Sequence, residues 1–216
     1  FESGDYTGWN IYPGDLTNRS IEKTGNDIYG GVSGTDTAMA RTGTYTLKTW
    51  GQNNGSDNTT PSYYEGDTSP GMSYTFGGYG NTMSPDTLKD GSQAWLQIKF
   101  FDSSWGELAG GTSDTMSATS EPNKWHFLRT AATAPAGAAK VQAVIVHSQK
   151  GYSGGAVYWD DMNLSMVVGP KSNYGTGVRN VATGDLDGDG KGEVIFLKGR
   201  YTDDPQSGLW VYEADG

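Results

Sequence analysis

The densest chemistry in the 216-residue sequence lies near its C-terminal end, in Asp185-Leu186-Asp187-Gly188-Asp189-Gly190-Lys191-Gly192-Glu193. Four carboxylates within nine residues repel one another unless a cation lies between them. Calcium suits this pattern, since it takes about six to eight hard oxygen ligands at roughly 2.3–2.6 Å. Asp185, Asp187 and Asp189 stand at loop positions 1, 3 and 5, and Gly190 at position 6 permits the turn that lets them converge. The carbonyl of Lys191 and the carboxylate of Glu193, directly or through water, complete the shell. An EF-hand needs a bidentate acid at position 12, which is Phe196 here, and no helical pattern flanks the loop. The loop is not an EF-hand.

The rest of the chain suits such a site. Lys and Arg number 15 against 25 Asp and Glu, a formal net charge of −10, which argues against general affinity for nucleic acid or an anionic membrane. There is no cysteine, so no disulfide supports the fold and bound metal is the staple that remains. With 33 glycines, 12% aromatic and 19% charged residues, the chain lacks the Ala/Leu/Glu/Lys richness of helices and reads as many short strands joined by turns. The expected fold class is all-β. No apolar run reaches the length of a membrane span. The chain opens at Phe1-Glu2 without initiator Met or signal-like segment, and so reads as a processed or cut piece of a secreted, extracellular protein.

Alternation places the strands that must position any site. Residues 45–50 alternate after Thr42-Gly43, and residues 73–76 after Pro70-Gly71. The clearest strand spans 94–101, with Leu96, Ile98 and Phe100 on one face and Trp95, Gln97, Lys99 and Phe101 on the other. It ends in a turn, 102–106, that displays Trp105. Strands at 125–129 and 140–147 follow, divided by Ala134-Pro135-Ala136-Gly137, and 156–164 closes the series. In this last strand Val157 and Trp159 are out of phase with Met162 and Leu164, which predicts a bulge at Asp160-Asp161. Trp9, Tyr45, Tyr74, Phe76 and Trp125 are expected in the core. Residues 1–166 thus form one domain, 167–180 a linker, and 181–216 a calcium loop with a hairpin of strands at 193–198 and 209–213.

Two resemblances sharpen this reading. The order and spacing of Phe1-Glu2-Ser3-Gly4 with Trp9, residues 40–48, the strand 96–102, Trp125 with Phe127, Ala134 to Gly137 and the closing residues 156–162 resemble carbohydrate-binding modules of the family 4/9/22 type. That resemblance implies a β-jelly-roll sandwich. It also implies a structural calcium where the early Phe-Glu meets the late Asp, which carries over to Glu2 and Asp160, with Asp161 a possible substitute and backbone carbonyls near Lys48 helping. The stretch Val181 to Phe196, followed by Gly208 to Gly216, resembles the calcium-bearing FG-GAP/VCBS repeats of β-propellers, and is similar to the blade opening of family 11 rhamnogalacturonan lyases. One propeller-like blade is implied, and no lyase catalytic residue falls on these positions.

Sugar rings are apolar on one face, so a polysaccharide site needs exposed aromatic platforms beside hydrogen-bonding side chains. Trp50, Trp95 with Gln97 and Lys99, Trp105, Tyr63, Tyr64 and Tyr152 fall off the core phase, and each can equally cover an edge or pack inward. His126 and His147 sit among strand residues and read as structural. No nucleophile elbow, phosphate loop or zinc spacing occurs. The expected function is a non-catalytic polysaccharide-binding module of a secreted, calcium-dependent protein, itself a polysaccharide-degrading enzyme. The alternative is a subunit of an extracellular adhesive or structural assembly, whose C-terminal β edges pair with a neighbouring chain.

Overall fold

The computed structural model describes residues 1–11, 18–25 and 39–167, and beyond them strands at 177–184, 193–199 and 208–212. The chain divides into two compact units, Phe1–Ser165 and Met166–Gly216. Ten strands come first: β1 (Asn10–Ile11), β2 (Arg19–Lys23), β3 (Tyr45–Trp50), β4 (Asn58–Asp67), β5 (Ser73–Asn81), β6 (Ser92–Phe101), β7 (Glu107–Met116), β8 (His126–Thr133), β9 (Lys140–Gln149) and β10 (Ala156–Val167). They form two five-stranded sheets, β1-β4-β9-β6-β7 and β2-β3-β10-β5-β8. The described residues contain no helix.

The alternation along β6 decides which face of the first sheet is core. Ala94, Leu96, Ile98 and Phe100 are fully buried, and they meet Leu47, Phe76, Val157 and Trp159 of the second sheet in one apolar cluster. Tyr74 joins that cluster, Trp9 packs against it, and Trp125 packs instead on Met83 and Tyr158. Trp159, wholly buried, donates its indole N–H to the Thr49 hydroxyl at 2.9 Å, so its one polar atom is satisfied inside the core. The expected change of phase in the last strand is present. Asp161 adopts φ 50°, and beyond it Met162 and Leu164 return to the same cluster as Val157 and Trp159.

Alternation alone did not reveal β2, β4 or β7. Strand β4 carries Pro61 and few aliphatic residues, yet it pairs with β9 over its whole length, from Asn58↔Gln149 to Asp67↔Lys140. Its other neighbour among the described residues, β1, pairs with Ser62 and Tyr63. Strand β7 is a polar sheet edge, with Gly110 lying against the Ile98 carbonyl, so it shows no apolar period.

In the second unit, β11 (Gly177–Gly184), β12 (Glu193–Gly199) and β13 (Gly208–Tyr212) form an antiparallel three-stranded sheet in that order. This corrects one expectation and extends another. The supposed linker 167–180 ends inside a strand, because residues 177–180 are recruited by pairing with β12, and the expected hairpin is present as β12 with β13, extended by β11 on its other side. The innermost register pair of the β11–β12 turn is Gly184↔Glu193. The expected ligands Asp185, Asp187, Asp189 and Lys191 lie outside the described residues, and of Glu193 only its place in the strand is described.

His147 is wholly buried on the inner face of β9, and neither ring nitrogen has a hydrogen-bond partner among the described residues. Burial disfavours the imidazolium and pulls the pKa down from 6.5 to about 4. As pH falls below 6.5 the unfolded chain takes up this proton and the folded chain does not, so stability is full above that value and declines toward pH 4. The loss from this one group is about 2 kcal/mol at pH 5. Urea midpoints at pH 7 and pH 5 should therefore differ more for the native chain than for His147→Leu; equal differences would remove His147 as the cause.

Candidate functional site

Since the even-numbered β6 residues point into the core, Trp95, Gln97, Lys99 and Phe101 stand on the outer face of the first sheet. Register then aligns four rungs across three strands: Pro61, Val146 and Trp95; Tyr63, Val144 and Gln97; Glu65, Gln142 and Lys99; Asp67, Lys140 and Phe101. An open groove of about 520 Å³ runs over this face. Pro61, Tyr63 and Val144 line one part of it, Glu65, Gln142 and Lys99 the middle, and Phe101 and Trp105 the other end. The groove combines aromatic walls with a polar centre.

The polar side chains there are already oriented. Gln142 donates its amide to Glu65 at 2.8 Å, and Lys99 donates to Glu107 at 3.0 Å. Lys140 donates to Asp67 at 2.6 Å, and that hydrogen bond and charge raise the lysine pKa. The half-exposed Trp105 rests on Phe101, with ring centroids 5.6 Å apart, and the Lys140 ammonium lies 6.0 Å from its centroid.

Of the aromatic and amide residues singled out from sequence, Tyr63 and Trp105 line the groove. Trp95 and Gln97 share its sheet face on adjacent rungs. Tyr64 follows Tyr63 on a strand and so points the other way; its ring lies beside Gly66. Trp50 belongs to the opposite sheet, paired with Ala156 at the end of β3, and the exposed Tyr152 covers Gly55. Trp50, Tyr64 and Tyr152 are not among the groove residues. Glu65, Gln142 and Val144 were missed. The alternation of Lys140, Gln142 and Val144 against the buried Val141, Ala143 and Ile145 was available, but not the register that sets them beside β4 and β6.

A second arrangement joins the start of the unit to its last strand. Glu2 accepts the Thr44 N–H at 2.8 Å and the Tyr45 N–H at 3.3 Å, and a side chain at Gly43 would collide with its carboxylate. Asp160 accepts the Arg41 N–H at 2.6 Å, the Thr42 N–H at 3.2 Å and the Asp161 N–H at 2.8 Å. Asp161 itself takes the Arg41 guanidinium and the Thr42 hydroxyl. One five-residue segment, 41–45, therefore holds both carboxylates. Asp160 is buried, and desolvation raises its pKa despite those N–H donors. No group of three or more His, Cys, Asp or Glu side chains among the described residues is set to hold a metal. Lys48, whose neighbourhood was expected to lend backbone carbonyls, lies on β3. It sits mid-strand between Ser20 and Tyr158, and its buried ammonium lies 3.7 Å from Asp86.

The sequence matches no protein-family model and no curated protein. Its fold has solved counterparts. A carbohydrate-binding module of the β-sandwich superfamily, described as promiscuous in specificity, superposes with TM-score 0.51 at 17% identity, over 76% of this chain and 60% of its own. The enzymatically active domain of a bacteriophage CBA120 tailspike protein matches with TM-score 0.48 at 12% identity, over 77% of this chain and 20% of its own. The N-terminal endo-1,4-β-D-xylanase 10B modules of Clostridium thermocellum, complexed with xylohexaose, match with TM-score 0.48 at 15% identity, over 80% and 28%. The chain thus spans less than two thirds of each of these proteins. The first of these likenesses is one of fold and defines the class to that level: an all-β sandwich.

Proposed function

We propose that the first unit binds a polysaccharide chain in the groove over β4, β9 and β6, without acting on it chemically. The observation that carries this reading is the pairing of aromatic walls, Tyr63 at one side and Phe101 with Trp105 at the other, with a polar centre of Glu65, Gln142 and Lys99. The apolar faces of sugar rings stack on the walls, and their hydroxyls donate to the Glu65 carboxylate or accept from Gln142. The carboxylates in and beside the groove are already held by an amide or an ammonium, which suits binding better than proton transfer. The carbohydrate-binding modules that share the fold support the same reading. Calcium belongs to the proposal in two places. Glu2 and Asp160 would hold one ion that ties the chain start to β10, and the loop from Asp185 to Glu193 would hold a second. The parent is then a secreted protein, itself a polysaccharide-degrading enzyme, kept on its substrate by this unit.

Affinity gels containing xylan, galactan, glucomannan or algal polysaccharides test the binding. Retardation on at least one gel, relieved by the free polysaccharide, is the expected result. Migration identical to that in an empty gel across the panel would reject the reading.

A further inference from the structure

Trp105 is a bulky aromatic residue held at φ 67°, in the left-handed region that such side chains rarely enter. It sits in the β6–β7 hairpin with its ring half exposed, against Phe101 and at the end of the groove. A backbone so placed persists only where its surroundings over-determine it, and such positions concentrate at ligand sites. Here one side chain does most of the holding. Asp102 Oδ1 accepts the N–H of both Ser104 and Gly106, each at 2.8 Å, so it brackets Trp105 on either side. The turn is closed again by the Asp102 N–H on the Gly106 carbonyl at 2.9 Å and by the Trp105 N–H on the Asp102 carbonyl at 3.1 Å. Gly106 leaves room for the carboxylate, since a Cβ there would stand 2.7 Å from Asp102 Oδ2.

We infer that Asp102 is a positioning residue for polysaccharide binding: it touches no ligand, and it fixes Trp105 as a ready-made wall of the groove. The inference rests on the groove reading above. Without the two side-chain hydrogen bonds, the hairpin relaxes to backbone conformations that tryptophan prefers and the ring leaves Phe101, so each binding event must first reorder it. Asparagine keeps the Oδ1 acceptor and therefore keeps the wall; alanine does not.

The test uses the full chain and, as probe, whichever immobilised polysaccharide retards the native protein most. Asp102→Ala is expected to weaken binding about tenfold, Asp102→Asn to leave it within about twofold, and Asp102→Ala added to Trp105→Ala to cost nothing further. Without any polysaccharide, hydrogen exchange at the Ser104 and Gly106 amides should quicken in Asp102→Ala and stay slow in Asp102→Asn. Native affinity in Asp102→Ala, or an equal loss whether or not Trp105 is present, would overturn the role of Asp102 while leaving the groove intact. Native affinity in Trp105→Ala would reject the groove end itself, and the inference with it.

Discussion

Replacing Tyr63 and Trp105 together by alanine is expected to abolish retardation on every polysaccharide gel while leaving the fold unchanged. The two rings stand toward opposite ends of one groove, so a bound chain stacks on both. Aromatic anchors of a binding site commonly cost about 2 kcal/mol on truncation, and two acting together lower affinity by roughly 100-fold or more. Stability should barely change. Trp105 is half exposed on a hairpin, and Tyr63 lies on the outer face, opposite in phase to the buried Ser62. Trp50→Ala and Tyr152→Ala serve as controls of equal chemistry: both remove an aromatic ring outside the groove, and both should bind as the native chain does. If the controls lost as much affinity as the double variant, the surface that binds would have to be sought elsewhere.

Removing calcium is expected to have the largest effect on stability. A ligand that binds only the folded state adds about 4 kcal/mol when present at a thousand times its Kd. For a chain of this size that corresponds to a fall in Tm of roughly 10 °C on adding a chelator. Asp160 provides a sharper test of the proposed ion, because its carboxylate would be worth more with a metal than without one. Without calcium, its raised pKa means that the folded state holds the acid proton more tightly than the unfolded one. Its stabilising share is then complete below about pH 4 and lost as pH rises through the folded pKa, so the ionised group costs stability at pH 7. Asp160→Asn turns one of the two accepting oxygens into a donor facing a backbone N–H, so it should cost stability in chelator and cost distinctly more in excess calcium. Glu2→Gln should lose calcium response in parallel. A Tm indifferent to chelator, or an Asp160→Asn effect of the same size in both conditions, would argue against an ion at this corner.

Much of the framework was legible because strand alternation is local. Whether Leu96 points inward and Gln97 outward follows from a period of two and the apolar preference of one face. The slip of phase at Asp160-Asp161 was legible for the same reason, and Asp161 at φ 50° is its structural form. Where the period carries no apolar signal, as in β4 with Pro61 or in the polar β7, the strand exists because its neighbour pairs with it. Residues 177–180 make the same point, since only the ladder to β12 turns an expected linker into a strand.

The amino-acid sequence by itself determined the all-β class, the core face of β6 and the display of Trp105 on a turn. Which aromatic residues share a surface was decided only by tertiary pairing. Register sets Tyr63 two strands from Gln97 and Glu65 beside Gln142, sends Tyr64 to the reverse side and assigns Trp50 to the opposite sheet. Side-chain phase is a property of a few neighbouring residues, whereas register is a choice among pairings of residues far apart in the chain, and the burial of the whole sandwich makes that choice.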